Sequence, residues 1–289
     1  MIFNPQKIDM HMHSTVSDGS DTPLEILNHV RELGLELFSL TDHDAIKGSI
    51  LIESYLKEDD PKFLCGIEFS CKDEGGQYHI LGYGYDPQCS AMTEVVELGH
   101  NYRMRKVHDR LDFLREEFGF TFSKEDLDQL LSLDNPGKPH IGLLMTKYGY
   151  SSSKEDAINN YINKVHFQSE YVRPEQAIEG ILKSGGIPVL AHPSYGSGSQ
   201  LIVGEDMRKR LEHLIAYGLQ GVEAFYSGFT KKLETEMLNF AEEYHLYISA
   251  GSDYHGKNKL VVLGDTNIKK EGEYPEGLCR FLKDIEKYV

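Results

Sequence analysis

Residues 7–13 read Lys7-Ile8-Asp9-Met10-His11-Met12-His13, a run in which apolar and polar side chains alternate. Successive side chains of a β-strand point to opposite faces, so His11 and His13 share one face with Asp9. Two imidazoles therefore project side by side from one predicted strand. An isolated pair of this kind is as typical of ordinary polar contacts as of metal binding, and the rest of the chain decides between them.

Six further segments carry a strand signal, and helical patterns lie between most of them. Pro174 opens one such helix and Gly185-Gly186 follows its end, which is typical of helix termini. This alternation predicts a parallel α/β arrangement, open or closed. The seven predicted strands cover residues 8–13, 36–40, 63–69, 77–82, 187–191, 219–225 and 246–250.

The alternation is interrupted between residues 90 and 171, where strand signals are missing and the pattern is helical. Val107, Leu111, Leu114 and Phe118 form an apolar stripe at helical spacing there. We expect a helical insertion, or cap, over residues 90–171. Residues 1–89 and 172–289 would then form one discontinuous catalytic domain.

The composition excludes several classes of protein. The chain has 289 residues, 40% of them hydrophobic, with 30 Lys and Arg against 46 Asp and Glu, a net charge of −16. Such a surface repels polyanions, so broad binding of duplex DNA is not expected. The N-terminus lacks an apolar targeting run, no segment has membrane-spanning character, and the four cysteines lack metal spacing, so we expect a cytoplasmic protein.

Potential metal ligands stand at the ends of one predicted strand after another. Active sites of (β/α) barrels gather at the carboxyl ends of strands, so these distant positions are expected to converge. Their donor atoms are nitrogen and oxygen only, which suits Mn²⁺, Fe or Zn²⁺, and their number requires more than one ion. The nine candidates are His11, His13, Asp18, His43, Glu68, His79, His192, Asp253 and His255.

These residues lie in motifs that resemble the PHP (polymerase and histidinol phosphatase) family of metal-dependent phosphoesterases. The resemblance covers residues 10–255, and the ordered set of motifs is highly specific. The motifs are Met10-His11-Met12-His13-Ser14, Asp18-Gly19, Thr41-Asp42-His43-Asp44, Gly66-Ile67-Glu68, Tyr78-His79-Ile80-Leu81-Gly82-Tyr83, Ala191-His192-Pro193 and Gly251-Ser252-Asp253-Tyr254-His255.

The resemblance implies a distorted seven-stranded (β/α)7 TIM-like barrel with a trinuclear metal centre. By resemblance, the first ion is held by His11, His13, Glu68 and Asp253, the second by Asp18, His43 and His255, and the third by Glu68, His79 and His192. Three divalent ions are expected, with Mn preferred and Fe or Zn as alternatives. A hydroxide bridging two ions would attack the phosphate, and Asp18, His192 and His255 are open alternatives for protonating the leaving oxygen. With Asp253, these three are the catalytic candidates.

The helical insertion further resembles the subgroup that acts on nucleoside 3′,5′-bisphosphates, AMP or short RNA 5′ ends. This implies a small phosphorylated substrate, with Arg103, Lys138, His140 and Ser194 as candidate substrate contacts. The chain has Lys138 where that subgroup typically shows Arg. We expect a monomer or small homo-oligomer.

The leading hypothesis is a phosphatase that hydrolyses a phosphate monoester of a small nucleotide or phosphorylated sugar. A phosphodiesterase or 5′ exonuclease on short RNA or a cyclic phosphate sugar is the second enzyme reading. A noncatalytic metal-dependent binding module and an amidohydrolase-like enzyme are further alternatives, although no candidate carbamylated lysine stands at a strand end.

Overall fold

A computed structural model describes residues 4–165, 171–196, 201–268 and 273–289. Each of the seven predicted strand segments contains a strand. The described ranges contain eight strands: β1 (Ile8–Asp9), β2 (Leu37–Phe38), β3 (Lys62–Phe63), β4 (Gly66–Asp73), β5 (Gly76–Tyr83), β6 (Ile187–Leu190), β7 (Gly221–Tyr226) and β8 (Tyr247–Gly251).

The described part of the chain has ten α-helices: α1 (Pro23–Leu33), α2 (Lys47–Tyr55), α3 (Ser90–Phe118), α4 (Lys124–Leu131), α5 (Lys138–Lys147), α6 (Lys154–Asn160), α7 (Pro174–Lys183), α8 (Gly204–Ala216), α9 (Lys231–Glu243) and α10 (Glu276–Ile285). Several of these helices begin where their sequences predict. The Thr22 hydroxyl, for example, accepts from the Glu25 N–H, and the Glu25 side chain accepts from the Thr22 N–H. Within the described ranges, no helix has both the length and the apolar character needed to span a membrane.

The strands form two sheets rather than the predicted closed seven-stranded barrel. The first sheet has the parallel order β1-β2-β3, and the second has the order β4-β5-β6-β7-β8. Isolated bridges join segments that follow the strands: Met12, after β1, pairs with Tyr254, after β8, and His43, after β2, pairs with Glu68 of β4. The fold is thus α/β, as predicted, and the two sheets meet where the ligand motifs lie.

The second sheet is mixed, which corrects the expectation of parallel strands throughout. Strands β4 and β5 pair antiparallel because only Glu74 and Gly75 separate them, too short a connection for a parallel crossover. The predicted strand 63–69 is also divided, since Phe63 pairs with β2 in one sheet and Gly66 with β5 in the other. The chain changes sheets at Leu64 and Cys65.

Two separate hydrophobic clusters are formed by buried residues that the structure describes. The larger one lies between the sheets and the surrounding helices. The smaller one joins α3 to α6 through buried residues such as Val107, Leu114, Ile141 and Met145. Every regular element described between Ser90 and Lys164 is helical, as the sequence predicts.

Candidate metal centre

Strand β1 ends at Asp9, but the extended segment after it orients its side chains as the alternating pattern predicts. Met10 and Met12 are buried in the hydrophobic core, and His11 and His13 lie on the opposite side. The Nε2 atoms of the two imidazoles approach to 3.1 Å. Two ring nitrogens this close need a proton or a cation between them, because two lone pairs repel each other.

Glu68 occupies the centre of the site and is almost fully buried. One of its carboxylate oxygens, Oε2, faces three imidazoles. It lies 3.3 Å from His11 Nε2, 3.1 Å from His13 Nε2 and 3.2 Å from His43 Nδ1. A single oxygen surrounded by three ring nitrogens is arranged as a ligand shared between neighbouring metal positions.

The other Glu68 oxygen, Oε1, faces a second pair of imidazoles. His79 Nδ1 lies 2.9 Å away and His192 Nε2 lies 3.1 Å away, while these two nitrogens are 3.2 Å apart. The three atoms therefore form a triangle with sides of similar length. This triangle comprises the set Glu68, His79 and His192 that the resemblance implies for the third ion.

The ligating atoms of the remaining candidates also converge. His255 Nε2 lies 3.3 Å from Asp18 Oδ1, and Asp253 Oδ1 lies 3.5 Å from His13 Nε2. Three groups of donor atoms could each hold an ion, and within each group the atoms lie within 4.8 Å of one another. The groups are His13, Asp18, His43 and His255; His11, His13 and Asp253; and His43, Glu68 and His79. The structure thus brings all nine predicted ligands to one place, with His13 and His43 each shared between two groups.

Several donor atoms fit metal ions better than they fit hydrogen bonds. The Nδ1 atoms of His13 and His43 are buried and have no hydrogen-bond partner among the described residues. His43 Nδ1 lies 3.2 Å from a Glu68 oxygen without hydrogen-bond geometry. A buried polar atom left without a partner is costly, and coordination to a cation removes that cost.

Burial and charge set the protonation of these groups. Burial lowers the pKa of His43 to about 3, so the ring is neutral and its nitrogens can act as ligands. Burial alone would raise the pKa of Glu68, but the nearby imidazoles of His43, His79 and His11 outweigh it and hold that pKa well below its ordinary value. The centre therefore offers an ionised carboxylate at Glu68 and a neutral imidazole at His43. Nearby carboxylates, by contrast, raise the pKa of His13 to about 9 and that of His11 well above its ordinary value, so these two rings would release a proton when they bind a metal ion.

Glu223 is a functional residue that the sequence analysis missed. Its side chain is fully buried in β7, with Oε1 3.0 Å from His11 Nδ1 and Oε2 accepting the His192 backbone N–H at 2.7 Å. A carboxylate on the far nitrogen of a ligand histidine fixes the ring and its tautomer. The available signal was an acidic residue within the apolar run Val222-Glu223-Ala224-Phe225.

Two more buried carboxylates fix the loops that carry ligands. Asp42 accepts from the Ser14 N–H at 2.8 Å and from the Ser17 hydroxyl at 2.6 Å, which fixes the loop before Asp18. Asp9 accepts from the N–H and the hydroxyl of Ser252 at 2.9 and 2.6 Å. Burial raises the pKa of Asp9 to about 6 despite these hydrogen bonds.

The backbone is also strained at or next to three of the candidate ligands. Asp44, His192 and Asp253 have positive φ angles of 49°, 26° and 60°, which residues with a Cβ rarely adopt. Gly251 packs so closely on His11 that an added Cβ would overlap it. Strain of this kind concentrates at functional sites, where the surrounding structure imposes it.

The four predicted substrate contacts lie around the centre rather than within it. Arg103 donates to Asp44 Oδ2 at 2.7 Å, and Lys138 donates to Asn163 Oδ1 at 2.7 Å. His140 Nδ1 accepts from the Gly137 N–H at 3.1 Å, and Ser194 is fully buried. A role for these residues in substrate binding stays a prediction.

An open cavity of about 300 Å³ leads to the centre. Tyr226 and Lys259 line it, and Lys259 was not predicted. Tyr226 donates to Asp253 Oδ2 at 2.9 Å, and Lys259 donates to the same oxygen. The cavity is lined by Asp18, His43, Glu68, His79, Pro139, His192, Tyr195, Tyr226, Asp253, His255, Asn258 and Lys259. Seven of the nine predicted ligands thus face a space that a small molecule can enter.

Known proteins resemble this chain over most of its length. A 5′-3′ exoribonuclease of Haemophilus influenzae is 29% identical over 90% of this chain and 93% of its own. A phosphoribosyl 1,2-cyclic phosphate 1,2-diphosphodiesterase of Eggerthella lenta is 30% identical over 86% and 94%. A 3′,5′-nucleoside bisphosphate phosphatase of Chromobacterium violaceum is 26% identical over 86% and 87%.

A crystal structure from Bifidobacterium adolescentis, assigned as a metal-dependent phosphoesterase, shares the fold. It superposes with a TM-score of 0.79 at 26% identity and covers 90% of this chain and 91% of that chain. The family model of the PHP domain matches residues 9–178, which is more than half of the chain. The chain therefore belongs to the PHP domain family.

Proposed function

We propose that this protein is a metal-dependent phosphoesterase that hydrolyses a phosphate monoester of a small nucleotide, such as AMP or a nucleoside 3′,5′-bisphosphate, or of a phosphorylated sugar. The observation that carries the proposal is the convergence of nine nitrogen and oxygen donors around Glu68 at the base of an open cavity. Enzymes that hydrolyse phosphate esters use such donor sets to hold divalent cations.

These donors would hold three ions in the sets that the family resemblance implies, with Mn²⁺ preferred and Fe or Zn²⁺ as alternatives. Bound divalent ions would lower the pKa of water and offset negative charge on the phosphate oxygens. In a chain with a net charge of −16, they would also make the cavity attractive to an anionic substrate.

The protein's own groups set the orientation of the ligands. Glu223 accepts the Nδ1 proton of His11, which leaves the lone pair of His11 Nε2 directed at the centre. The backbone carbonyl of Asp253 lies 2.9 Å from His255 Nδ1 and directs His255 Nε2 toward Asp18 in the same manner. Both rings are therefore positioned before any ion binds, which reduces the entropic cost of binding.

Asp253 has a different role for each of its oxygens. Oδ1 faces the imidazoles, whereas Oδ2 accepts from Tyr226 and Lys259. The carboxylate is thereby held in one orientation, and Lys259 adds a positive charge at the cavity wall. Asp18, His192 and His255 also line the cavity, and they stay alternatives for giving a proton to the leaving oxygen.

We propose that residues 90–171 act as a cap whose cations select the substrate. Burial lowers the pKa of Lys138, with Arg110 as a further cause, and Arg103 is held beside the centre by Asp44. A second phosphate of the substrate would relieve the repulsion among these cations. A cytoplasmic location and a monomer or small homo-oligomer stay predictions from the sequence.

The proposal is tested by phosphate release from a panel of nucleotides and sugar phosphates after reconstitution with Mn²⁺. We expect release from at least one monoester, loss of turnover in Asp253→Asn with nucleotide binding retained, and no change in Asp265→Asn, which alters an exposed carboxylate. A reconstituted protein that releases phosphate from no member of the panel contradicts the proposal. Binding without release would favour the noncatalytic module instead.

A second candidate function is 5′ exonuclease activity on short RNA, or hydrolysis of a cyclic phosphate sugar. It is favoured by the relatives that carry those activities in their names. A 5′-phosphorylated oligoribonucleotide separates the two readings. A monoesterase leaves its chain length unchanged, while an exonuclease shortens it.

A further inference from the structure

A second cavity lies outside the metal centre and is larger. It has a volume of about 840 Å³ and lies between the β4–β5 hairpin and α8. None of the nine predicted ligands lines it, but Gln77 and Tyr78, which do, directly precede His79 on β5. The described residues on its walls adjoin positions 197–200, which lie outside the described ranges.

Arg210 of α8 is the buried charge of this cavity. Its side chain is 8% exposed, its guanidinium carbon lies 4.0 Å from the Tyr78 ring centroid, and it donates to the Gln77 backbone carbonyl. Its Nε atom has no hydrogen-bond partner in the described part of the chain. A guanidinium has five N–H donors, so this group is only partly satisfied.

Glycines keep the approach to this guanidinium open. Gly76 and Gly196 have φ angles of +133° and +51°, and a Cβ on either would lie 3.4 or 3.7 Å from a guanidinium nitrogen. Side chains at these two positions would therefore cover the donors of Arg210. The small residues leave room for a ligand to reach them.

The cavity is locally positive within an acidic protein. Lys72 and Lys209 line it together with Arg210, against Asp206 as the facing carboxylate. His213 also lines it, with Nε2 2.7 Å from the Asp73 carboxylate. In a chain of net charge −16, such a cluster attracts an anion and holds it where Arg210 can donate.

The position of the cavity relates it to the substrate. Gln77 precedes His79 by two residues, about 7 Å along the strand, and phosphates follow each other at about 3.4 Å along a stacked nucleic-acid strand. We infer that this cavity binds an internucleotide phosphate of a short single-stranded oligonucleotide whose 5′ end lies at the metal centre. The inference rests on the proposed function and extends it to a substrate longer than a mononucleotide.

The test uses a charge reversal on the surface, where folding is not at risk. Lys72→Glu/Lys209→Glu changes two exposed lysines of the cavity, and Lys57→Glu/Lys232→Glu makes the same net change at exposed lysines elsewhere. The probes are a 5′-phosphorylated tetraribonucleotide with nonhydrolysable phosphorothioate linkages, and AMP. Their binding to the Mn²⁺-reconstituted proteins is measured between 50 and 200 mM salt.

We expect the cavity variant to bind the tetranucleotide about tenfold more weakly than the control variant, with AMP affinity equal in both. The slope of log affinity against log salt should fall by about 0.7, the value for one lost phosphate contact on a single strand. Equal tetranucleotide affinity in the two variants overturns the inference. So does AMP binding with two sites in the wild type and one in the cavity variant, because the cavity would then take free mononucleotides.

The two proposals fail in different ways. If no phosphate ester is hydrolysed but the tetranucleotide still depends on Lys72 and Lys209, the proposed function is wrong and the binding site stands. If hydrolysis is normal and the tetranucleotide is indifferent to the charge reversal, the proposed function stands and the site is wrong.

Discussion

The replacement Glu223→Gln probes how a residue that need not touch the ions controls the metal centre. Glu223 is fully buried and accepts two hydrogen bonds, one from His11 Nδ1 at 3.0 Å and one from the His192 N–H at 2.7 Å. Glutamine has almost the same shape but one acceptor oxygen and one NH₂ donor. It can therefore satisfy only one of the two donors.

The cost follows from this mismatch. If the amide oxygen keeps the His192 N–H, the NH₂ faces His11 Nδ1 and favours the tautomer with a proton on Nε2. That proton occupies the lone pair that faces Glu68 and His13. Replacing the partner of a ligand histidine typically weakens metal binding 10–100-fold, or about 1.4–2.7 kcal/mol.

The assay is competition for Mn²⁺ against a chelator of known affinity, followed by the ratio of bound metal to protein. We expect Glu223→Gln to lose metal at chelator concentrations that leave the wild type loaded. Glu234→Gln is the matched control, because Glu234 is also a buried glutamate but pairs with Lys231 on α9. Wild-type metal affinity in Glu223→Gln would show that Glu223 does not control metal binding through His11.

Two further predictions concern stability and packing. Burial lowers the pKa of Lys106 to about 7, so between pH 7 and 10.5 the unfolded chain binds a proton that the folded chain has released. The free energy of unfolding of the wild type, measured in urea relative to Lys106→Met, should therefore rise with pH by at most about 1.4 kcal/mol per pH unit. A difference between the two proteins that does not vary with pH contradicts this prediction. Gly251→Ala should destabilise the protein by roughly 1–3 kcal/mol and weaken metal binding, because the added methyl group would overlap His11 and lie 2.5 Å from Glu223 Oε1. An unchanged melting temperature and metal content in this variant would contradict the prediction.

The candidate ligands were predictable because each lies in a local pattern. Alternation alone places His11 and His13 on one face of a strand, and Glu68, His192 and Asp253 follow or end apolar runs that read as strands. Their convergence then follows from the rule that strand ends share one edge. The resemblance of these motifs to the PHP family is confirmed by the match of the PHP domain model to residues 9–178.

The missed features depend on contacts that no local pattern contains. Glu223 lies in a strand whose residues are buried on both faces, so nothing in its own segment indicates which side chain it meets. Lys259 reaches Asp253 from an irregular segment after β8. Both contacts arise only when distant segments pack together.

Strand direction was the principal error in the fold. The segments 63–69 and 77–82 read as strands, but apolar patterning does not distinguish a parallel from an antiparallel neighbour. The short connection Asp73-Glu74-Gly75-Gly76 carried the missing signal, since two residues ending in glycine are typical of a hairpin. The division of the first segment between two sheets depends on pairing partners that lie far away in the sequence.

The role proposed for Glu68, a ligand shared by the donor groups at the centre of the site, determines how many metal ions the protein can hold. The measurement is the number of divalent ions per chain, by elemental analysis after reconstitution and gel filtration, in the wild type and in Glu68→Gln. We expect close to three ions in the wild type and a loss of at least two in the variant. A wild type that holds no divalent ion, or a variant that holds as many ions as the wild type, would contradict it.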